Sequence, residues 1–147
     1  MEKVSFITTN TKETQRVGEL LASELQGGEI LSLIGDLGGG KTTFTQGVAR
    51  GLSINDRIIS PTFVIFKKFA INLKKIKWLY HFDLYRLSDL QELVDLGFED
   101  IISAPENITV IEWAQKANEI IPPSKNIKIN FKYLGKDKRQ ITVSSSK

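Results

Sequence analysis

Two hydrophobic periods alternate along this chain. Val17, Leu20, Leu21 and Leu25 recur at helical spacing, so Thr11–Leu25 is predicted to be a helix with one apolar face. Thr11 and Thr14 offer capping hydroxyls at its start. Lys3–Thr8 reads as a short strand. Glu29–Ile34 is almost wholly apolar, through Ile30, Leu31, Leu33 and Ile34. A strand of that kind is covered on both faces, as in a parallel sheet. Lys41–Leu52 reads as the next helix, followed by a polar loop over Ser53–Ser60. Phe63–Phe69 and Ile76–Asp83 read as strands joined by a basic turn around Asn72–Lys75. Leu87–Ile102 predicts one or two short helices interrupted at Gly97, and Asn107–Glu112 another strand. Ala114–Ile120 predicts a helix ended by Pro122-Pro123. Ile127–Tyr133 and Gln140–Val143 form a final antiparallel hairpin. The expected fold is α/β: a mixed sheet, helices packed on both faces, and a C-terminal antiparallel hairpin.

At 147 residues the chain reads as a single domain spanning 1–147. Its 41% hydrophobic and 25% charged residues match a soluble globular protein. There is no cysteine, which excludes a disulfide framework and any thiolate metal site. No apolar run approaches the roughly 18 residues of a spanning helix. Met1-Glu2-Lys3-Val4 lacks a signal-peptide pattern. A cytoplasmic location is therefore expected. The net charge is +3, and part of it is local: Lys67, Lys68, Lys74, Lys75 and Lys77 fall in one stretch, Lys136, Lys138 and Arg139 in another. Such clusters either meet nucleic-acid phosphates or form a solvated hairpin and turn.

One segment carries explicit chemistry. Gly35-Asp36-Leu37-Gly38-Gly39-Gly40-Lys41-Thr42 fits the pattern G-x-x-x-x-G-K-[ST] between a predicted strand and a predicted helix. Glycine lets the backbone take positive φ and approach phosphate oxygens closely. Successive amides then point into one concavity at the positive end of a helix. Lys41 supplies a point charge to the β- and γ-phosphates, and Thr42 a hydroxyl to Mg²⁺. The segment predicts a P-loop NTPase-like sheet that binds a nucleoside triphosphate with magnesium.

Hydrolysis also requires a carboxylate near metal and water. Asp83 and Glu112 each end an apolar strand, and ligands in open α/β sheets bind beyond the carboxyl ends of strands. Either can serve the metal while the other orients or activates water. In Ser60-Pro61-Thr62-Phe63, Pro61 holds Ser60 extended, and Thr62 can sense γ-phosphate and magnesium as switch segments do. His81, the single histidine, shares a strand face with Asp83 and reads as structural rather than catalytic. Trp113 either packs in the core, or forms a wall beside the nucleotide or a partner-facing anchor.

Together, the Gly35–Thr42 loop with Thr43-Phe44, Ser60-Pro61-Thr62-Phe63, His81-Phe82-Asp83-Leu84-Tyr85-Arg86-Leu87 and Ile111-Glu112-Trp113 resemble the TsaE family. This is the small P-loop ATPase of the bacterial machinery that makes threonylcarbamoyladenosine in tRNA. The resemblance runs from about Thr11 to Arg139. It implies slow ATP hydrolysis in partnership with two subunits, TsaB and TsaD, the ATPase resetting the complex between turnovers. It also implies that Asp36, Leu37, Gly38, Gly39, Gly40, Lys41, Thr42 and Thr43 cradle the nucleotide. Thr62 is then the switch threonine, and Asp83 and Glu112 serve metal and water. Arg139, in a Gly-x-x-x-Arg stretch with Gly135, matches a late nucleotide-contacting arginine, and Thr11 or Thr14 lies where the N-terminal segment nears the nucleotide. The chain departs from the family at Gly39, where alanine is frequent, at Phe69, where tyrosine is frequent, and in looser spacing around Gly135.

Two other functions are compatible with a P-loop. A small metabolite kinase needs a substrate lid, and no arginine-rich lid segment follows the helices. A nucleotide-sensing RNA-binding module would use the Lys67–Lys77 hairpin. Contact with tRNA is expected to be indirect or weak, since the modifying complex can supply the main tRNA surface.

Overall fold

The computed structural model describes residues 2–35, 40–59, 61 and 64–145. Seven strands form one sheet: β1 (Glu2–Thr8), β2 (Ile30–Gly35), β3 (Phe66–Ala70), β4 (Trp78–Asp83), β5 (Asn107–Glu112), β6 (Asn126–Gly135) and β7 (Lys138–Ser145). Their order is β1-β7-β6-β2-β5-β4-β3. The central four, β6, β2, β5 and β4, run parallel. The remaining pairings, β3 with β4, β6 with β7 and β7 with β1, are antiparallel. The expected mixed sheet and terminal hairpin are present.

Burial explains this arrangement. All six residues of β5 are buried, as are Ile30–Leu33 of β2. The pleat sends Leu31, Leu33, Leu79, Ile108, Val110 and Ile129 to one face and Ile30, Phe82 and Ile111 to the other. Helices α1 (Thr11–Ala22) and α2 (Lys41–Gly51) cover the first face. The second is covered by α3 (Leu90–Asp95), α4 (Phe98–Ser103) and the segment Ala114–Ile120. Among the described residues, no helix is long and apolar enough to cross a membrane.

Several predicted boundaries move. Helix α1 is capped by Asn10, whose side chain accepts from the Glu13 amide at 2.9 Å, and not by Thr11 or Thr14. Thr14 is buried and hydrogen-bonded to Thr8 at 2.8 Å between hydroxyl oxygens. The same helix stops at Ala22, and the chain turns through Ser23 into Gly27 and Gly28, both at positive φ. Strand β3 starts at Phe66 rather than Phe63, and β4 at Trp78 rather than Ile76. Ala114–Ile120 is a 3₁₀ segment with a kink at Ala117, not an α-helix, and it starts from Trp113 in the left-handed region (φ 60°). Gly97 (φ 81°) does separate two short helices, and Asp89 caps α3 in a reciprocal pair with Glu92.

Helices α1 and α2 approach so closely that backbone meets backbone. A Cβ on Gly47 would lie 2.0 Å from the Gln15 carbonyl oxygen, and one on Gly18 2.4 Å from that of Phe44. This contact fixes α2 against the sheet. Gly47→Ala therefore forces the helices apart and should lower unfolding free energy by about 2–3 kcal/mol. Chemical denaturation measures this, and an unchanged midpoint would refute the close-packing argument.

Candidate functional site

Parallel pairing brings the C-terminal ends of β2, β4 and β5 to one edge. Asp83 is in register opposite Glu112, and Glu112 opposite Leu33, two residues before the loop begins at Gly35. The two carboxylates thus lie side by side on the β5 side of the start of the phosphate loop. Asp36, Leu37, Gly38 and Gly39 lie outside the described residues, as do Ser60, Thr62 and Phe63 of the expected switch segment.

The two ends of the loop are described. Gly35 has φ 155°, and a Cβ there would fall 2.6 Å from the Phe131 carbonyl oxygen, so β2 leaves the sheet where a side chain would collide with β6. Gly40 precedes α2 with φ 97° and provides no side-chain cap. Gly40 thus adds no capping side chain of its own at the positive end of α2, where helix amides can meet an anion.

Lys41 is only 5% exposed. Its Nζ donates to the Gly35 carbonyl oxygen at 2.7 Å and lies 4.4 Å from the centroid of the Trp113 ring. The ammonium thus folds back across the mouth of the loop. Thr43 is half-buried in the first turn of α2. Thr42 points to β5, its hydroxyl 3.1 Å from both carboxylate oxygens of Glu112.

Glu112 is 3% exposed, and burial of a carboxylate is costly unless donors meet it. Its second donor is His81, whose Nε2 lies 2.7 Å from Glu112 Oε2. Asp83 is half-buried and accepts the Tyr85 amide at 3.0 Å. Burial raises the Asp83 carboxyl above the ordinary aspartate range. The Glu112 carboxylate pushes in the same direction, while the Tyr85 amide, His81 and Lys41 pull against it.

On the other side of the loop stand Thr14 and Arg139. A Cβ on Gly40 would be 3.5 Å from Thr14 Cγ2 and 3.7 Å from Arg139 Nε. Arg139 pairs with Thr8 across β1 and β7, and its guanidinium lies 4.6 Å from the Tyr133 ring centroid. The β6–β7 hairpin reaches this point through an irregularity between Tyr133 and Gly135 and a turn with Lys136 and Asp137 both at positive φ. Arg139 Nε is buried with no hydrogen-bond partner among the described residues. A buried donor facing the loop's helix is suited to a phosphate. Thr11 is exposed at the start of α1, whereas the buried Thr14 is the threonine beside Gly40.

The donor set of Thr42, Glu112 and Asp83 is all oxygen, which fits Mg²⁺. Among the described residues, no group of three or more His, Cys, Asp or Glu is arranged to hold a metal by itself. Such a site suits a cation that arrives with phosphate oxygens and keeps water ligands. Sequence reasoning underrated two residues. His81 contacts Glu112 directly, and the only signal was its placement two residues before Asp83 on one strand face. Trp113 borders both Lys41 and Tyr85, its ring 5.1 Å from that of Tyr85. The left-handed Trp113 backbone that puts it there is not encoded by any glycine.

Known proteins resemble the chain along most of its length. The chain matches the family described as "Threonylcarbamoyl adenosine biosynthesis protein TsaE" over residues 8–141. It is 37% identical over 145 residues to the tRNA threonylcarbamoyladenosine biosynthesis protein TsaE of Bacillus subtilis, covering 99% of this chain and 87% of that protein. The protein of the same name from Treponema pallidum is 33% identical, with 94% of this chain and 98% of that protein covered. The crystal structure of Bacillus subtilis YdiB superposes with a TM-score of 0.76 at 33% identity, covering 98% of this chain and 86% of that one.

The raised Asp83 carboxyl has a consequence for stability. Because its folded-state pKa lies above the unfolded value, its stabilising effect is complete below the unfolded pKa of about 3.9 and is lost as pH rises through the folded value. The ionised form of Asp83 is the disfavoured one in the nucleotide-free protein. Asp83→Asn keeps the acceptor for the Tyr85 amide and removes that charge. It should melt higher than the parent at pH 7, with the advantage shrinking as pH falls toward 4. Calorimetry across this range checks it, and an unchanged melting point at pH 7 would count against it.

Proposed function

This chain belongs to the TsaE family, and on that premise we propose that it is a magnesium-dependent ATPase acting in the formation of threonylcarbamoyladenosine in tRNA. The observation that carries this reading is the contact of the Thr42 hydroxyl with both oxygens of the buried Glu112. It joins the first turn of the phosphate-loop helix to the carboxylate ending β5, two oxygen-bearing groups that would hold a magnesium ion.

The chain's own groups divide the work as follows. The Gly35–Thr42 loop and the α2 amides bind the phosphates, joined by Thr43. Lys41 leaves the Gly35 carbonyl to meet the β- and γ-oxygens. Thr42 and Glu112 hold the cation, with Asp83 beside them. Magnesium, when bound, neutralises charge that develops on the transferred phosphoryl group. Asp83 is half-exposed and has a raised pKa, so it is the carboxylate better suited to orient the attacking water and accept its proton. Thr62 acts as the switch threonine. Arg139 offers its unpaired Nε to the nucleotide from the far side of Gly40, and Thr11 or Thr14 approaches from α1.

The working form is an assembly with TsaB and TsaD in the cytoplasm. TsaD transfers the threonylcarbamoyl group, and hydrolysis here resets the complex. The exposed lysines of the β3–β4 edge are left with at most an indirect or weak part in holding tRNA.

Lys41→Ala should abolish ATP binding. Glu112→Ala should spare nucleotide binding, require more magnesium and lower turnover by about 10²-fold or more, the scale of a catalytic group's contribution. Equilibrium binding and ATP hydrolysis, each with and without TsaB and TsaD, test the reading. Strong stimulation by the partners supports it; normal turnover in Glu112→Ala, or indifference to both partners, would overturn it.

A further inference from the structure

The Glu112 carboxylate has two protein donors, and the second belongs to a residue with no place in phosphate or metal binding. His81 is fully buried in β4. Parallel pairing sets His81 beside Val110 of β5, so its ring reaches one step along the neighbouring strand to Glu112. The Nε2–Oε2 distance of 2.7 Å is the shorter of the two kinds of donor contact at Glu112, since Thr42 stands 3.1 Å from each oxygen.

The other ring nitrogen is equally informative. Nδ1 is buried and has no hydrogen-bond partner among the described residues. A histidine kept to tie strands together would engage both nitrogens, since an unpaired buried polar atom is destabilising. Here the ring makes one polar contact, and that contact is with the site carboxylate. With Glu112 ionised, Nε2 must carry the proton and donate it.

The geometry has a clear effect. A carboxylate on a free glutamate side chain rotates about its last bond. A single hydroxyl that is equidistant from both oxygens does not define the rotation. A donor fixed in the sheet and aimed at Oε2 does define it, and leaves Oε1 as the oxygen that His81 does not engage. We propose that His81 is a positioning residue for Glu112: it holds the carboxylate in one rotation so that Oε1 is presented to the cation. The proposal rests on the reading of Glu112 given above. It assigns no substrate contact and no proton transfer to His81.

The test uses four variants of the chain in the assembly with TsaB and TsaD: His81→Leu, His81→Gln, Glu112→Ala and the double His81→Leu/Glu112→Ala. Glutamine places an amide N–H near the position of Nε2, while leucine fills the space without a donor. His81→Leu should leave the KM for ATP unchanged, raise the magnesium concentration for half-maximal rate, and lower kcat about 10–100-fold, as loss of an outer partner of a metal ligand does. His81→Gln should recover most of that loss. In Glu112→Ala, adding His81→Leu should change little, because His81 acts only through the glutamate.

Full kcat in a folded His81→Leu, equal impairment of leucine and glutamine, or independent losses in the double variant would overturn the proposal. If leucine does not fold, His81→Asn replaces it: its amide is too short to reach Glu112, and turnover equal to that of His81→Gln would be the refuting result. Normal turnover in Glu112→Ala would remove the underlying reading as well. An inactive Glu112→Ala beside a fully active His81→Leu would remove only the role of His81.

Discussion

A carboxylate buried to 3% exposure at the end of a central strand is the constraint around which this molecule is organised. Such a group is tolerated when donors converge on it, and here they come from two different elements: Thr42 from α2 and His81 from β4. Each donor depends on long-range structure. Thr42 reaches Glu112 only if α2 begins directly above β5. His81 reaches it only if β4 pairs with β5 in parallel and in the observed register. A slip of one residue would turn His81 and Asp83 to the opposite face of the sheet, into the layer of Phe82 and Phe98.

The position of α2 is itself determined by packing remote from the site. Gly18 and Gly47 let α1 and α2 meet backbone to backbone, and Phe44 and Val48 key α2 into the sheet. Phe44 meets Phe131 of β6 edge-on, with ring centroids 5.4 Å apart. The same β6 carbonyl region forbids a side chain at Gly35. Residues that never touch the site thus fix where the loop starts and where the helix amides point. The energetic cost of the site is seen at Asp83, a carboxyl raised by burial and by its neighbour Glu112. Two carboxylates set near one another describe a site whose negative charge is met less well within the protein than it would be by a cation.

Much of this was legible in the sequence because it is encoded locally. The strand before the loop, the helix after it, and the strand ends at Asp83 and Glu112 follow from apolar runs and from glycine spacing. The limits of β5 are legible because the polar Asn107 and Glu112 bound its apolar stretch, and all six residues are buried. What was not legible depends on contacts between distant segments. The Asn10 cap was passed over because hydroxyl residues crowd the same turn. Thr14 was taken for a capping residue, although it is held inward by Thr8 across the start of the helix. The left-handed Trp113 that opens the 3₁₀ segment Ala114–Ile120 is a conformation that no local preference announces. His81 was read as structural because spacing shows a shared face with Asp83 but not the partner on the next strand.

The left-handed Trp113 connects these observations. A bulky residue at φ 60° is disfavoured and persists only when its surroundings require it. Its neighbours here are the Lys41 ammonium, 4.4 Å from the ring, and the Tyr85 ring at 5.1 Å. Because Glu112 immediately precedes it, the reversal at Trp113 ends β5 just as the carboxylate emerges, and directs the ring over the loop lysine. A strand continuing in extended geometry would carry the next side chain away from Lys41. The strain, the end of the strand and the covered lysine therefore share one physical origin. The same turn that presents Glu112 to the helix also closes the side of the site nearest β4.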